Sequence, residues 1–189
     1  MGQVSLLPIL LGGPSGVGKS TLGRFLKEQS CLYLEGDIHG PDAIGPLGLR
    51  AVWDAYCDHL DPIPLAAELE HRRVASNARR VILELPSTPL TPEHLRRSHG
   101  VLQISFLNGP RDECMRSFVQ REAAHAVDTK PYERHWEANN SSLIAALETS
   151  VYNPHKIEAI LKNGGRIPPQ ELARRLLEMC ESYYAHLDT

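Results

Sequence analysis

Gly13-Pro14-Ser15-Gly16-Val17-Gly18-Lys19-Ser20 satisfies the pattern GxxxxGK[ST], a spacing whose chemistry is phosphate binding. Its glycines let the backbone curl so that successive amides point inward, and the helix that follows adds the positive end of its dipole. The lysine, Lys19, can reach β- and γ-phosphates, and the hydroxyl of Ser20 can ligate Mg²⁺. The residues expected to touch a nucleotide are Gly13, Ser15, Gly16, Val17, Gly18, Lys19, Ser20 and Thr21. Two carboxylates, Asp37 and Glu84, close short apolar runs, where strand ends face a ligand in an open α/β sheet. Arg116 and Arg121 fall on one predicted helix, with Lys130 and Arg134 beyond it, and fixed cationic donors of this kind stabilise a phosphoryl group in transfer.

These groups need a scaffold that alternates strands and helices. Leu6 to Leu11 reads as a buried strand leading into the glycine loop, and Leu22, Phe25 and Leu26 follow at helical spacing. Cys31 to Leu34 is a second strand ending in Glu35-Gly36-Asp37, and HGPDAIGPLG supplies a loop. Leu49, Val52, Trp53, Tyr56, Cys57 and Leu60 share one helical face. Asp61-Pro62-Ile63-Pro64 interrupts that helix, and Leu65 to Ala78 resumes as another. Val81 to Leu85 and Val101 to Leu107 read as the third and fourth strands, with no element assigned between them. Arg111 to Ala124 is predicted helical. A polar loop from Ala126 to Pro131 follows, then a helix carrying Trp136, Leu143, Ile144, Leu147 and Val151, a fifth strand at Ile157 to Leu161, and a last helix opened by Pro168-Pro169. Parallel strands need crossover connections, which are usually helical, so the pattern predicts an α/β fold with a mainly parallel sheet.

The loop GPSGVGKST, the strand ending in Gly36-Asp37, and the arginine-bearing helix and loop late in the chain together resemble the P-loop small-molecule kinases of the nucleoside-monophosphate-kinase-like superfamily. The likeness is nearest to gluconate and shikimate kinases, and the loop wording is also similar to that of guanylate kinases. It implies a three-layer P-loop fold with a five-stranded parallel sheet in the order 2-3-1-4-5, helices on both faces and a lid. The chain reads as a single domain over 1–189, with a substrate-binding helical segment at about 38–79 and the lid at about 121–134. The SxTTR signature of guanylate kinases is missing, and Glu84-Leu85-Pro86-Ser87 stands where adenylate kinases carry DGFPR. Gluconate kinases carry GD followed by His-Pro, and Gly36-Asp37-Ile38-His39-Gly40-Pro41 is similar with shifted spacing.

With that strand order and neighbouring strands about 4.8 Å apart, the phosphates lie above the first strand, Glu84 above its neighbour, and Asp37 roughly 10 Å away in projection. The resemblance therefore implies catalytic roles for Lys19, Asp37 and Arg121 and acceptor contacts from Asp37, His39 and Arg116. A magnesium site would use Ser20 directly and Glu84 through water. Each has a plainer reading beside it. Asp37 could be a solvated turn carboxylate, Glu84 could pair with Arg79 or Arg80, and His39 could be polar surface. The stretch Arg111 to Arg134, with five cationic and five acidic residues, could be a solvated helix face.

The expected activity is transfer of the γ-phosphate of ATP, with Mg²⁺, to a hydroxyl of a small metabolite such as a sugar acid. A nucleoside or nucleotide acceptor is the alternative, since Trp53 and Tyr56 could stack on a base, although their spacing with Leu49, Val52 and Leu60 also fits a core face. A nucleotide switch is a rival of another class. However, the DxxG at Asp37 to Gly40 follows the loop too soon and no NKxD is present. A non-catalytic nucleotide-binding module is the third possibility.

Composition excludes other classes. With 189 residues, 42% hydrophobic and 23% charged, the chain has the make-up of a soluble globular protein. Its 20 Lys plus Arg against 23 Asp plus Glu form no basic tract to follow a nucleic acid backbone. The four cysteines lack a CxxC and the histidines an HExxH, so neither a disulfide framework nor a zinc site is expected, and free thiols suit a reducing cytoplasm. The apolar run at Leu6 to Leu11 contains Pro8 and lacks a basic flank, so neither a signal peptide nor a membrane association is expected.

Overall fold

The structure is a computed structural model that describes residues 6–36, 48–85, 87, 90–124 and 131–185. Strand β1 (Ile9–Gly12) leads through the glycine loop into α1 (Lys19–Glu28), followed by β2 (Cys31–Glu35). Helices α2 (Arg50–His59) and α3 (Ile63–Ala75) precede β3 (Arg80–Glu84), α4 (Pro92–Ser98) and β4 (Gln103–Asn108). Helices α5 (Arg111–Ala124) and α6 (Tyr132–Leu147), a 3-10 helix over Ser150–His155, β5 (Lys156–Glu158) and α7 (Pro169–Ala185) complete the described elements.

All five strands run parallel in the order β2-β3-β1-β4-β5, as the resemblance implied. The pleat divides the core. Ile9, Leu11, Tyr33, Ile82 and Leu107 face one layer with Leu22, Leu26, Phe118, Trp136 and Leu176 of the helices. Leu10, Val81, Leu83, Ile104 and Phe106 face the other with Leu49, Tyr56, Leu65, Leu69 and Leu143. Strands β1, β3 and β4 are buried on both faces: β1 and β3 carry the continuous apolar runs Ile9-Leu10-Leu11 and Val81-Ile82-Leu83, and β4 buries Gln103 and Ser105 bonded to each other at 3.1 Å. Helix α6 contributes to both layers, Tyr132 and Trp136 to the first and Leu143 and Leu147 to the second.

Differences from the sequence-based expectations have local causes. Pro8 has no amide for the ladder, so β1 starts at Ile9, although the Pro8 carbonyl still accepts from Gln103 N at 2.9 Å. Helix α4 forms where no element is predicted. Thr91 Oγ1 accepts from His94 N at 3.3 Å, His94 Nδ1 accepts from Thr91 N at 3.1 Å, and Pro92 opens the first turn. Helix α6 ends at Leu147, and Val151 lies 47% exposed in the 3-10 helix that contains Pro154. Strand β5 ends at Glu158 because its partner β4 ends there too, at Asn108 before Gly109-Pro110. Among the described residues, no helix is long and apolar enough to cross a membrane.

Candidate active site

The glycine loop stands at the carboxyl end of the central strand, between β1 and α1. Gly16 has φ +87, and a Cβ there would lie 2.1 Å from the Cys114 carbonyl oxygen, so only glycine lets the loop press against α5. Gly18, at φ +114, precedes α1 and offers no side-chain cap, and the first turn carries no acidic residue. The positive end of α1 is thus left to an external anion.

Lys19, 4% exposed, donates from Nζ to the Gly13 carbonyl at 2.8 Å, so its ammonium folds back across the mouth of the loop. Glu84 Oε1 lies 3.9 Å from that ammonium, and Glu84 is 2% exposed at the end of β3, beside β1. Its other oxygen, Oε2, accepts from the Tyr33 hydroxyl at 2.6 Å, and the same hydroxyl lies 3.1 Å from the Lys19 carbonyl oxygen. Gly23 makes this possible, since a Cβ there would lie 2.3 Å from the Tyr33 ring that runs beneath α1. Glu84 therefore partners Lys19 and Tyr33, while Arg80 stands at the opposite end of β3.

A cavity of about 450 Å³ opens over the loop. One wall is apolar, from Ala159, Ile167, Pro168 and Leu172, and among the described residues the cationic groups of Lys19, Arg24, Arg121 and Arg166 line the cavity with one carboxylate, that of Glu84. That excess of positive charge suits a polyanion with a flat apolar end. Arg121 lines the cavity while donating to Glu122 Oε1 at 2.9 Å, and its guanidinium packs 5.3 Å from the centre of the Phe118 ring. Arg116 donates to Glu113 Oε1 at 2.7 Å, is 59% exposed and is not among the cavity-lining residues. Gly13, Ser15, Gly16, Val17 and Gly18 lie in the loop and Lys19, Ser20 and Thr21 in the first turn of α1, and all but Gly13 line the cavity. Asp37 and His39 lie outside the described residues, as do 125–130 in the expected lid; Gly36, just before Asp37, donates its amide to the Glu84 carbonyl at 3.1 Å.

Sequence reasoning passed over several residues here. Arg166, in the turn before α7, donates to the Gly16 carbonyl at 3.2 Å and to Ser117 Oγ. Asn140 and Trp136 bond to the backbone of Ser15. Asn140 stands in helical register with Trp136, Leu143 and Leu147, and a polar residue inside an apolar stripe was the available signal. Tyr56 is fully buried, with its hydroxyl 2.9 Å from Ser98 Oγ, so it is a core residue and not a stacking platform for a base. Burial pushes the Cys114 thiol, behind Gly16, up to about 11, so it stays protonated at neutral pH.

Strand order and the glycine loop at the end of β1 define a three-layer P-loop fold, with the cavity above the loop. No family model matches the chain, and no curated protein matches it. Among solved structures it is similar to a gluconokinase from Sinorhizobium meliloti 1021, with 16% identity, a TM-score of 0.52, and coverage of 98% of this chain and 97% of that one. A shikimate kinase from Bacteroides thetaiotaomicron aligns with a TM-score of 0.49 and 19% identity over 94% of this chain and 99% of its own. A shikimate kinase from Acinetobacter baumannii, crystallised with shikimate, aligns at 0.48 and 17% over 94% of each chain. The likeness to the gluconokinase is one of fold.

Proposed function

We propose that this protein is a kinase that moves the γ-phosphate of ATP to a hydroxyl of a small metabolite, a sugar acid or a similar compound. The observation that carries the proposal is the loop itself: Lys19 Nζ held 2.8 Å from the Gly13 carbonyl at the uncapped start of α1, under a cavity rich in cationic side chains. Loop amides and the α1 dipole bind the phosphates, Lys19 supplies a movable charge for the β- and γ-oxygens, and Ile167, Pro168 and Leu172 offer the base an apolar wall.

The donors at hand fit Mg²⁺. Ser20 and Glu84 both line the cavity and present oxygens, and no cluster of three His, Cys, Asp or Glu stands among the described residues, so phosphate oxygens and water would complete the shell. When bound, Mg²⁺ neutralises charge that develops between the β- and γ-phosphates. Ser20 would be a direct ligand, and Glu84, oriented by Tyr33, would hold a ligating water.

On the acceptor side, Asp37 follows the end of β2, two strands from the loop, and is the residue proposed to bind and deprotonate the acceptor hydroxyl. Arg121 is proposed to stabilise the transferred phosphoryl group, and Arg116 and His39 to contact the acceptor. In this reading residues 38–79 make the acceptor-binding segment and 121–134 a lid on a single kinase domain. The complete burial of Tyr56 supports a compact acceptor over a stacked nucleobase.

The test is an ATP-consumption screen with Mg²⁺ against sugar acids, shikimate-like acids, nucleosides and nucleotides. Turnover that requires one small hydroxylated acid is expected. Robust phosphorylation of a nucleoside monophosphate alone would move the acceptor class, and a protein with no affinity for Mg-ATP or Mg-GTP at millimolar concentration would overturn the proposal.

A further inference from the structure

Asn140 is 1% exposed and Trp136 is fully buried, and each directs a polar atom at the backbone of Ser15 in the phosphate loop, one at each of the two peptides that flank its Cα. Asn140 Oδ1 accepts from the Ser15 amide at 2.7 Å, and Trp136 Nε1 donates to the Ser15 carbonyl at 2.9 Å. Asn140 Nδ2 donates to the Trp136 carbonyl at 2.7 Å, which closes a ring of three hydrogen bonds. The ring falls where α6 passes from one core layer to the other, between Trp136 and Leu143. An apolar residue at position 140 would fill the same space but would take this acceptor from the Ser15 amide. A buried amide whose donor and acceptor are both used is a device for orientation.

The orientation has a direction. The Ser15 carbonyl oxygen is turned towards α6, so its negative end does not face the cavity. The Ser15 hydroxyl reaches across to Ser87 Oγ at 3.2 Å, beyond the end of β3. The apolar wall of Ile167, Pro168 and Leu172 follows Arg166, which meets the next carbonyl along the loop, that of Gly16. In the nucleotide reading, a base on that wall would leave the last phosphate to the Ser15 side of the loop.

We infer that Trp136 and Asn140 are positioning residues that hold the two peptides flanking Ser15 so that the loop accepts a terminal phosphate. This rests on the nucleotide reading of the loop. Freed from Trp136, the Ser15–Gly16 peptide can rotate and bring the Ser15 carbonyl oxygen against the γ-phosphate. The effect is therefore selective for the third phosphate and leaves the diphosphate largely untouched.

The experiment measures binding of Mg-ADP and of a β,γ-imido ATP analogue by calorimetry in Trp136→Phe, Asn140→Leu and the double variant, each checked for folding by thermal melt. Affinity for the triphosphate analogue is expected to fall about tenfold or more while that for ADP stays within about twofold, the scale of one hydrogen bond to a charged group. Because both side chains hold the backbone of one residue within one ring of hydrogen bonds, the double variant is expected to lose no more than the worse single one. Equal losses for the two nucleotides, as a merely structural role would produce, or no loss, would overturn the inference. A second measurement needs no variant: the Ser15 amide of the wild-type protein is expected to exchange as slowly as helix-core amides with or without ADP, and fast exchange overturns the inference. Wild-type protein that binds neither nucleotide sinks the nucleotide reading and this inference with it, whereas wild-type binding with unchanged selectivity in the variants sinks the inference alone.

Discussion

The Tyr33 hydroxyl lies 2.6 Å from Glu84 Oε2 and 3.1 Å from the Lys19 carbonyl oxygen, and so ties the end of β3 to the start of α1 from beneath. Glu84 is therefore held between a phenol and an ammonium, both buried. Tyr33→Phe keeps the ring against Gly23 and removes only the hydroxyl. The loss expected in a denaturant melt is about 1–3 kcal/mol, because a buried carboxylate is left short of a donor. Under the proposed function, turnover at limiting Mg²⁺ should fall more than turnover at saturating Mg²⁺. Equal loss at both concentrations would separate Glu84 from the metal.

Lys19→Ala removes a charge that loop amides cannot replace. Turnover is expected to be nearly abolished while circular dichroism stays close to wild type; the melt should show a loss, because the buried Glu84 is left without the ammonium 3.9 Å away. Under the proposed function, nucleotide affinity measured by calorimetry should weaken for ATP more than for AMP, since the ammonium would serve the β- and γ-phosphates.

Asp37→Asn should spare ATP affinity and cost most of the rate, because the proposed function puts the acceptor beyond the end of β2 and the nucleotide over β1, two strands apart in the sheet. Steady-state kinetics with the acceptor from the screen, alongside calorimetric ATP binding, separate the two. A variant that loses ATP binding and keeps normal acceptor kinetics would contradict this placement.

His155 gives the fold a pH dependence on its acid side. Its Nδ1 lies 3.0 Å from the Ile104 carbonyl, and burial holds its pKa below the ordinary 6.5. The unfolded chain therefore takes up the proton first. The stability held by the neutral ring is present above pH 6.5 and is lost as pH falls through the lowered folded value. Urea melts from pH 7.5 downward should show this decline in wild type and a shallower one in His155→Gln. Parallel declines would remove His155 as the cause.

Cys114 should resist alkylation in the native protein at pH 8, since burial keeps its thiol protonated up to about 11. Labelling with a maleimide, read by mass spectrometry before and after unfolding in urea, checks this. Rapid native labelling at Cys114 would mean that α5 opens away from the loop.

Much of this protein is carried by short-range pattern. GPSGVGKST between an apolar strand and an amphipathic helix marks the phosphate loop by itself, because the loop amides, the lysine and the hydroxyl all lie within nine consecutive residues. The α/β alternation is similarly local, since period and punctuation mark each element. Helix α4 escaped because its stop and start signals, Thr91-Pro92 and a capping histidine, belong to only seven residues and show no apolar period. The resemblance to P-loop kinases added the strand order, which no local pattern contains.

Tertiary structure alone decided which side chains serve that loop. Tyr33 meets Glu84 across 51 residues of chain, Asn140 meets Ser15 across 125, and Arg166 meets Gly16 across 150. Each is a polar group on an element whose pattern reports only its own strand or helix. Their convergence follows from parallel crossovers, which gather strand ends and helix starts from distant parts of the chain above one edge of the sheet. Sequence determined that the chain has a phosphate loop; the stacking of α5, α6 and the turn before α7 around it decided how that loop is held.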